Sequence, residues 1–203
     1  MRKLVAIAAA AAFAAFAGCQ ASDESPPSGR VRVLLTDAPL EGAVAVLVKV
    51  QGVELVPGTE GEARRIDLDR EINLLDFRDG KTTLLGETDV EGRINQIRLH
   101  MDGSVRVVFE DGTEREALVP SGARSGIKVI TGPIDPSEVE EITLDFDAAK
   151  SIHETGNGKL IMRPTIKAFA GGKQVGESED PDPQADGGGL DPDPDPDPDP
   201  EPN

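Results

Sequence analysis

Ala43-Val44-Ala45-Val46-Leu47-Val48-Lys49-Val50-Gln51-Gly52-Val53-Glu54-Leu55-Val56 is the stretch whose reading decides the fold class. Val44, Val46, Val48 and Val50 recur at every second position, which is the period of a β-strand. Branching at Cβ stiffens valine and suits it to a pleated surface. The run is long for one strand and carries Gly52 inside it, so the reading is a single strand with a bulge or bend at the glycine. Pro57-Gly58 then supplies the turn that ends it.

The same two-residue period appears on both sides of this run. Upstream, Arg30 to Asp37 places Val31, Val33 and Leu35 on one face, and Pro39 helps close the segment. Downstream, strands are expected at Arg64 to Asp69, Ile94 to Met101, Ser104 to Glu110, Glu114 to Val119, Gly126 to Thr131, Glu140 to Asp147 and Lys159 to Ala170. Asp102-Gly103, Asp111-Gly112 and Gly156-Asn157-Gly158 read as hairpin turns. Pro164 falls inside the last strand and demotes it to an edge or a bulge. Ile72 to Phe77 and Thr82 to Leu85 are apolar enough to cover a sheet edge, and Ala148 to His153 suits one helical turn. No long amphipathic segment competes. The expectation is an all-β domain, an antiparallel β-sandwich or Greek key with short turns, over residues 30–170.

The flanks have a different chemistry. Met1-Arg2-Lys3 is followed by an unbroken apolar run from Leu4 to Ala17, then Gly18 and Cys19. A basic start, a short apolar stretch and small residues before a cut are the marks of a secretory signal, here residues 1–18. The run falls short of the ~20 residues a helix needs to cross a bilayer. Phe16-Ala17-Gly18-Cys19 resembles the bacterial lipobox, which implies a lipid on the Cys19 thiol and attachment to a membrane. Gln20 in the next position resembles an outer-membrane destination. Two or three acyl chains make a lasting anchor where one holds only marginally. Residues 19–29, with Pro26-Pro27, read as the tether between anchor and domain. Cys19 is the only cysteine, so the domain is expected to be stabilised by its core and not by disulfides.

Residues 171–203 lack apolar periodicity and end in alternating Asp and Pro from Asp191 to Pro202. Such a segment cannot bury enough apolar area to offset its ordering entropy, so a disordered acidic tail is expected. The tail also explains the charge. The whole chain carries −17, but eleven acids and no bases lie from Glu177 onward. Without them, and without Asp23, Glu24, Arg2 and Lys3, 25 acids face 19 bases, an ordinary surface. No basic run or face is visible, which argues against nucleic acid as a partner.

Several ordered stretches carry a resemblance to a known family. They are Leu35-Thr36-Asp37-Ala38-Pro39, then Ile72-Asn73-Leu74-Leu75-Asp76-Phe77 with Leu84-Leu85-Gly86, and Ile94-Asn95-Gln96-Ile97-Arg98-Leu99. Next come Pro120 to Val129 and Ile142-Thr143-Leu144-Asp145-Phe146-Asp147-Ala148-Ala149-Lys150-Ser151-Ile152, joined to Gly156-Asn157-Gly158 and Arg163-Pro164. As a set they resemble the domain of unknown function 4382 of extracytoplasmic proteins. The resemblance implies an all-β extracellular domain, commonly on lipoproteins, and implies no reaction, ligand or catalytic residue.

Catalytic sets are scarce. Nucleophilic hydrolysis needs a base beside the nucleophile, and the only histidines are His100 and His153, both read as surface residues. Two histidines and one modified cysteine cannot complete a usual zinc site. Paired-acid glycoside hydrolysis has carboxylates enough, but its sugar clefts commonly have aromatic walls. Here there is no Trp or Tyr, and beyond the signal only Phe77, Phe109, Phe146 and Phe169 remain. Calcium, which takes six to eight oxygens, is the ligand the acids fit best. Asp67, Asp69 and Glu71 alternate onto one strand face, and Asp145 with Asp147 onto another. Asp37, Asp145 and Asp147, in or beside the motif turns, form the candidate calcium site. Ser121-Gly122-Ala123-Arg124-Ser125-Gly126 lacks the lysine spacing of a phosphate loop and reads as a loop needing unusual backbone angles. The leading expectation is a non-enzymatic module, lipid-anchored outside the cytoplasm, with a binding, adhesion-like or envelope-structural role toward an envelope ligand or protein. A calcium-dependent module and a carboxylate hydrolase are the alternatives.

Overall fold

A computed structural model describes residues 25–59, 61–119 and 125–178. Residues 1–24, 60, 120–124 and 179–203, which carry Cys19, the expected signal, most of the expected tether, most of the expected Ser121 to Gly126 loop and most of the expected acidic tail, lie outside the described residues. Among the described residues twelve strands account for nearly all regular structure. They are β1 (Ser28–Ala38), β2 (Ala43–Pro57), β3 (Arg64–Asn73), β4 (Thr83–Glu91), β5 (Ile94–Phe109) and β6 (Glu114–Leu118). β7 (Ile127–Ile134), β8 (Glu141–Asp147), β9 (Ile152–Glu154), β10 (Leu160–Met162), β11 (Ile166–Ala170) and β12 (Lys173–Ser178) follow. A 3-10 turn at Leu74–Phe77 leaves β3, and one helical turn, α1 (Ala148–Ser151), leaves β8. Among the described residues no helix is long and apolar enough to cross a membrane.

The all-β expectation holds, but the pairing is mixed. All twelve strands share one hydrogen-bonded sheet, in which β1 runs parallel to β8 and β10 parallel to β6, while the other neighbours are antiparallel. The order β4-β1-β8-β11-β12-β7-β5 continues on one side of β5 to β6, β10 and β9, and on the other to β2 and β3. Its edge strands β3 and β4 meet through side chains. Arg70 donates to Thr83 Oγ1 at 3.2 Å and to the Leu84 carbonyl at 3.0 Å. Gly86 lets Ile66 approach, since a Cβ there would lie 2.5 Å from Ile66 Cγ2. Charged side chains along β3 protect that edge from stray pairing.

Gly52 is a bulge, as its position in β2 suggests. Pairing with β3 shifts register between Val50 and Gly52, and Gly52 and Val53 are consecutively buried. The bulge inverts the inward phase, so that Val46, Val48 and Val50 before it and Val53 and Leu55 after it all reach the core. Val44 does not follow its neighbours. A register shift between Ala43 and Ala45 leaves it 54% exposed.

Four expectations are corrected. Asp102-Gly103 is not a hairpin turn, because β5 runs through it. There the strand exchanges β7, paired along Ile94 to Leu99, for β6, paired along Ser104 to Val108. The expected strand Lys159 to Ala170 is two strands broken at Arg163–Thr165, around Pro164. Thr83 to Glu91 is a full strand, not a cover. The boundary at residue 170 falls inside the β11–β12 hairpin, so the domain reaches Ser178 and begins at Ser28. β12 places one apolar side chain, Val175, against the core and is otherwise held by backbone pairing to β11 and β7, which a hydrophobicity pattern does not register.

Inside the curled sheet lies one contiguous apolar cluster drawn from ten strands and the 3-10 turn. Phe146, Leu35, Leu55, Ile94, Ile97 and Leu144 are among its fully buried side chains. Burying each stabilises the fold by roughly 1.5–3 kcal/mol.

Candidate functional site

Three of the family-like stretches, Leu35 to Pro39, Ile72 to Phe77 and Ile142 to Ile152, meet with Arg163-Pro164 at one corner of the sheet. Thr36 near the end of β1 places Oγ1 2.9 Å from the Phe77 carbonyl and 2.8 Å from that of Lys81, so its single proton serves either. The exit from β3 is thereby tied to β1. Asn73 secures the same exit from within. Its Oδ1 accepts from Leu75 N at 3.3 Å, capping the 3-10 turn, and from Val46 N in β2 at 3.0 Å, while Nδ2 donates to Asp76 at 2.9 Å. An isolated Asn in an otherwise apolar run is the sequence signature of such a cap. Replacing Asn73 with Ala strips two backbone donors of their acceptor and is expected to destabilise the domain by about 1–2 kcal/mol, read from urea unfolding.

Across the corner, α1 is built by Asp147 and Ser151. Asp147 Oδ1 accepts from Lys150 N at 3.0 Å as the helix cap, and Oδ2 pairs with Lys150 Nζ at 2.8 Å. Ser151, fully buried, donates to the Asp147 carbonyl at 2.6 Å and accepts from Thr165 N at 2.9 Å. Arg163 N donates to the Ser151 carbonyl at 2.7 Å, and Asp147 N to that of Thr165 at 2.9 Å. Around Pro164 the backbone thus bonds to the α1 corner instead of a strand ladder, which explains why a proline is tolerated there.

Asp37 sits at the centre of this corner. It is 5% exposed, and pairs in register with Phe146 of β8. Strand neighbours in register share a face, so Asp37 faces inward with Leu35 and Phe146. Its Oδ1 accepts from Ala148 N at 3.2 Å, whereas the enclosed Oδ2 has no hydrogen-bond partner. Burial pushes its pKa up from 3.8 to about 7; bonds from the Ala148 and Ala38 backbone pull the other way, and Asp145 and Asp147 raise it further.

The three residues of the expected calcium site are therefore neighbours on opposite faces. Asp145 and Asp147 pair in register with Thr36 and Ala38, both partly exposed, and turn outward, while Asp37 turns in. Burial and then Asp147 raise the Asp145 pKa, against the pull of Lys167 and Lys150. Burial also acts to raise Asp147, but the side-chain and backbone bonds from Lys150 outweigh it and leave the pKa below the ordinary value. Among the described residues no group of three or more His, Cys, Asp or Glu side chains is placed to hold a metal ion. Asp67 and Asp69 serve as ion-pair partners of Arg65 and Lys49, at 2.7 and 2.9 Å.

His100 corrects another expectation. It is 8% exposed, not a surface residue, because the segment entering β7 crosses over it; a Cβ on Gly126 would lie 3.0 Å from its Cε1. Its Nε2 is 3.4 Å from Glu54 Oε2, and the same oxygen pairs with Arg98 at 3.6 Å. No nucleophile is hydrogen-bonded to this histidine among the described residues. Gly126 has φ 73°, the backbone geometry anticipated for that loop. His153 is exposed, on β9. A groove of about 560 Å³ on the outer face of β2, β5 and β6 is polar, and its cations are paired: Lys49 with Asp69, Arg106 with Glu71 and Glu114, and Arg115 with Glu154.

No curated protein and no solved structure matches this chain. A family model does: residues 28–164 match the domain of unknown function DUF4382, from the first residue of β1 to the Pro164 break. That span includes Thr36, Asp37, Phe77, Ala148 and Ser151, whose hydrogen bonds assemble the Asp37 corner, and the chain belongs to the DUF4382 family.

Proposed function

We propose that this chain is a lipid-anchored extracytoplasmic β module that acts by binding or bracing in the cell envelope and not by catalysis. The observation that carries the reading is Phe16-Ala17-Gly18-Cys19 at the end of the Leu4 to Ala17 apolar run. Cleavage before Cys19 and acylation of its thiol leave only eight residues between the lipidated cysteine and β1, at most ~30 Å of chain. The domain is then held close to the bilayer surface by its β1 end, and Gln20 favours the outer membrane.

The motif residues support a non-catalytic role because their polar atoms are spent on the fold: Thr36 on the 3-10 turn, Asn73 on two backbone amides, Asp147 and Ser151 on α1. The partner under this reading is an envelope protein or polymer.

Replacing Cys19 with Ala tests the anchor. Wild-type protein is expected in the membrane fraction after carbonate washing and the variant in the soluble fraction, with unchanged thermal unfolding. A variant that stays membrane-bound overturns the lipid anchor. Hydrolysis of envelope polymer by purified protein, abolished by one carboxylate substitution, overturns the non-catalytic part.

A further inference from the structure

Asp37 is an acid in the wrong place for a charge. It continues the inward phase of Val31, Val33 and Leu35, is almost fully buried, and has one oxygen on Ala148 N and one with no partner. Burying an unpaired carboxylate costs far more than burying the neutral acid.

The charges around it offer no relief. From β8 come Asp145 and Asp147, both of its own sign. Lys150 of α1 is spent on Asp147, and Lys167 of β11 stands in register with Asp145 on the outer face. From the 3-10 turn, Asp76 is held by Asn73, and Arg78 donates to the Leu75 carbonyl at 2.6 Å. No Lys or Arg among the described residues pairs with Asp37.

We propose that Asp37 is a proton-operated latch: as the neutral acid it holds the end of β1 against the first backbone amide of α1, and on ionisation it turns to water and frees that corner. The latch joins the segments that most depend on the corner. Ala148 N is the donor to Asp37, Thr36 next to it holds the 3-10 turn, and Ser151 holds the break at Pro164. Release therefore loosens the β1 end, α1 and the 163–165 segment together while the remaining ladders stay paired. A proton concentration near neutrality becomes a conformational signal at the end of β1 opposite the N-terminal tether. Burial as the main force on Asp37, with its pKa near 7, places the transition in that range. The inference does not depend on what anchors the domain.

Hydrogen exchange of the full chain in detergent tests it, followed segment by segment between pH 6 and pH 8 and corrected for intrinsic rates. Opening of residues 36–38 and 145–151 is expected to rise about tenfold over that interval, as the ionised fraction of Asp37 grows. In Asp37→Asn, which keeps the acceptor for Ala148 N and cannot ionise, the rise is expected to vanish. No rise in the wild type, or an equal rise in both proteins, overturns the latch. Carbon-13 NMR of the Asp37 carboxyl in wild-type protein adds a measurement free of substitution, and a midpoint near 4 there also overturns it.

Discussion

Raising the pH from 5 to 8 is expected to cost the folded state on the order of 2–3 kcal/mol through Asp37 alone. The sign follows from linkage. Folding raises the Asp37 pKa from 3.8 to about 7, so between those values the folded state holds a proton that the unfolded chain has released. Its contribution is fully present below pH 3.8 and is lost as the pH rises through 7. Asp145, raised in the same direction by burial and Asp147, adds to the slope. Asp111 and Asp135, lowered chiefly by side-chain bonds from Thr113 and Ser137, and Asp147, lowered by Lys150, act in a separate window. Their stabilisation is present above the ordinary carboxylate range and is lost only as pH falls below it. Urea unfolding at unit pH steps should therefore show stability falling from pH 5 to pH 8. Asp37→Asn should flatten most of that fall and exceed the wild type at pH 8. A wild-type profile that is level or rising over the interval would refute the assignment of Asp37 as a buried acid.

Replacing Phe146 with Ala is expected to lower stability by about 3–5 kcal/mol, the usual cost of emptying a buried aromatic site. Phe146 is fully buried in β8, between β1 on one side and β11 on the other. The β-ladders on both sides restrict collapse around the void, which puts the cost toward the upper end. For a domain of this size a melting-temperature drop on the order of 10 °C follows. Phe169 of β11 is only partly buried, and Phe169→Ala is expected to cost distinctly less. Equal losses at the two positions, measured by calorimetry, would contradict the assignment of Phe146 to the centre of the core.

Much of the fold was legible because strand formation leaves a local, two-residue signature. β1, β2, β6, β7 and β8 fall within a few residues of their expected spans, and the α1 turn and the Gly52 bulge stand where expected. Asp37 was legible too, in a sense that composition obscured. It continues the phase of Val31, Val33 and Leu35, whereas Asp145 and Asp147 oppose Leu144 and Phe146. Strand parity alone separates the first from the other two, which is why shared carboxylate chemistry did not make them one site.

By itself the sequence determined the all-β class, the mid-strand bulge, the signal-like start, the lone Cys19 and the acidic tail. Each depends on residues adjacent in the chain or on composition. Tertiary structure alone decided the rest: the parallel pairing of β1 with β8, the exchange of β7 for β6 along β5, the inclusion of β12, and the burial of His100. The physical reason is that backbone hydrogen bonds are the same for every residue type, so β12 can be held with almost no apolar signal. Register between strands a hundred residues apart is settled only by how the whole core packs. The same dependence makes Asp37 a latch and not merely an acid, because Ala148 lies 111 residues away in the chain and 3.2 Å away in the fold.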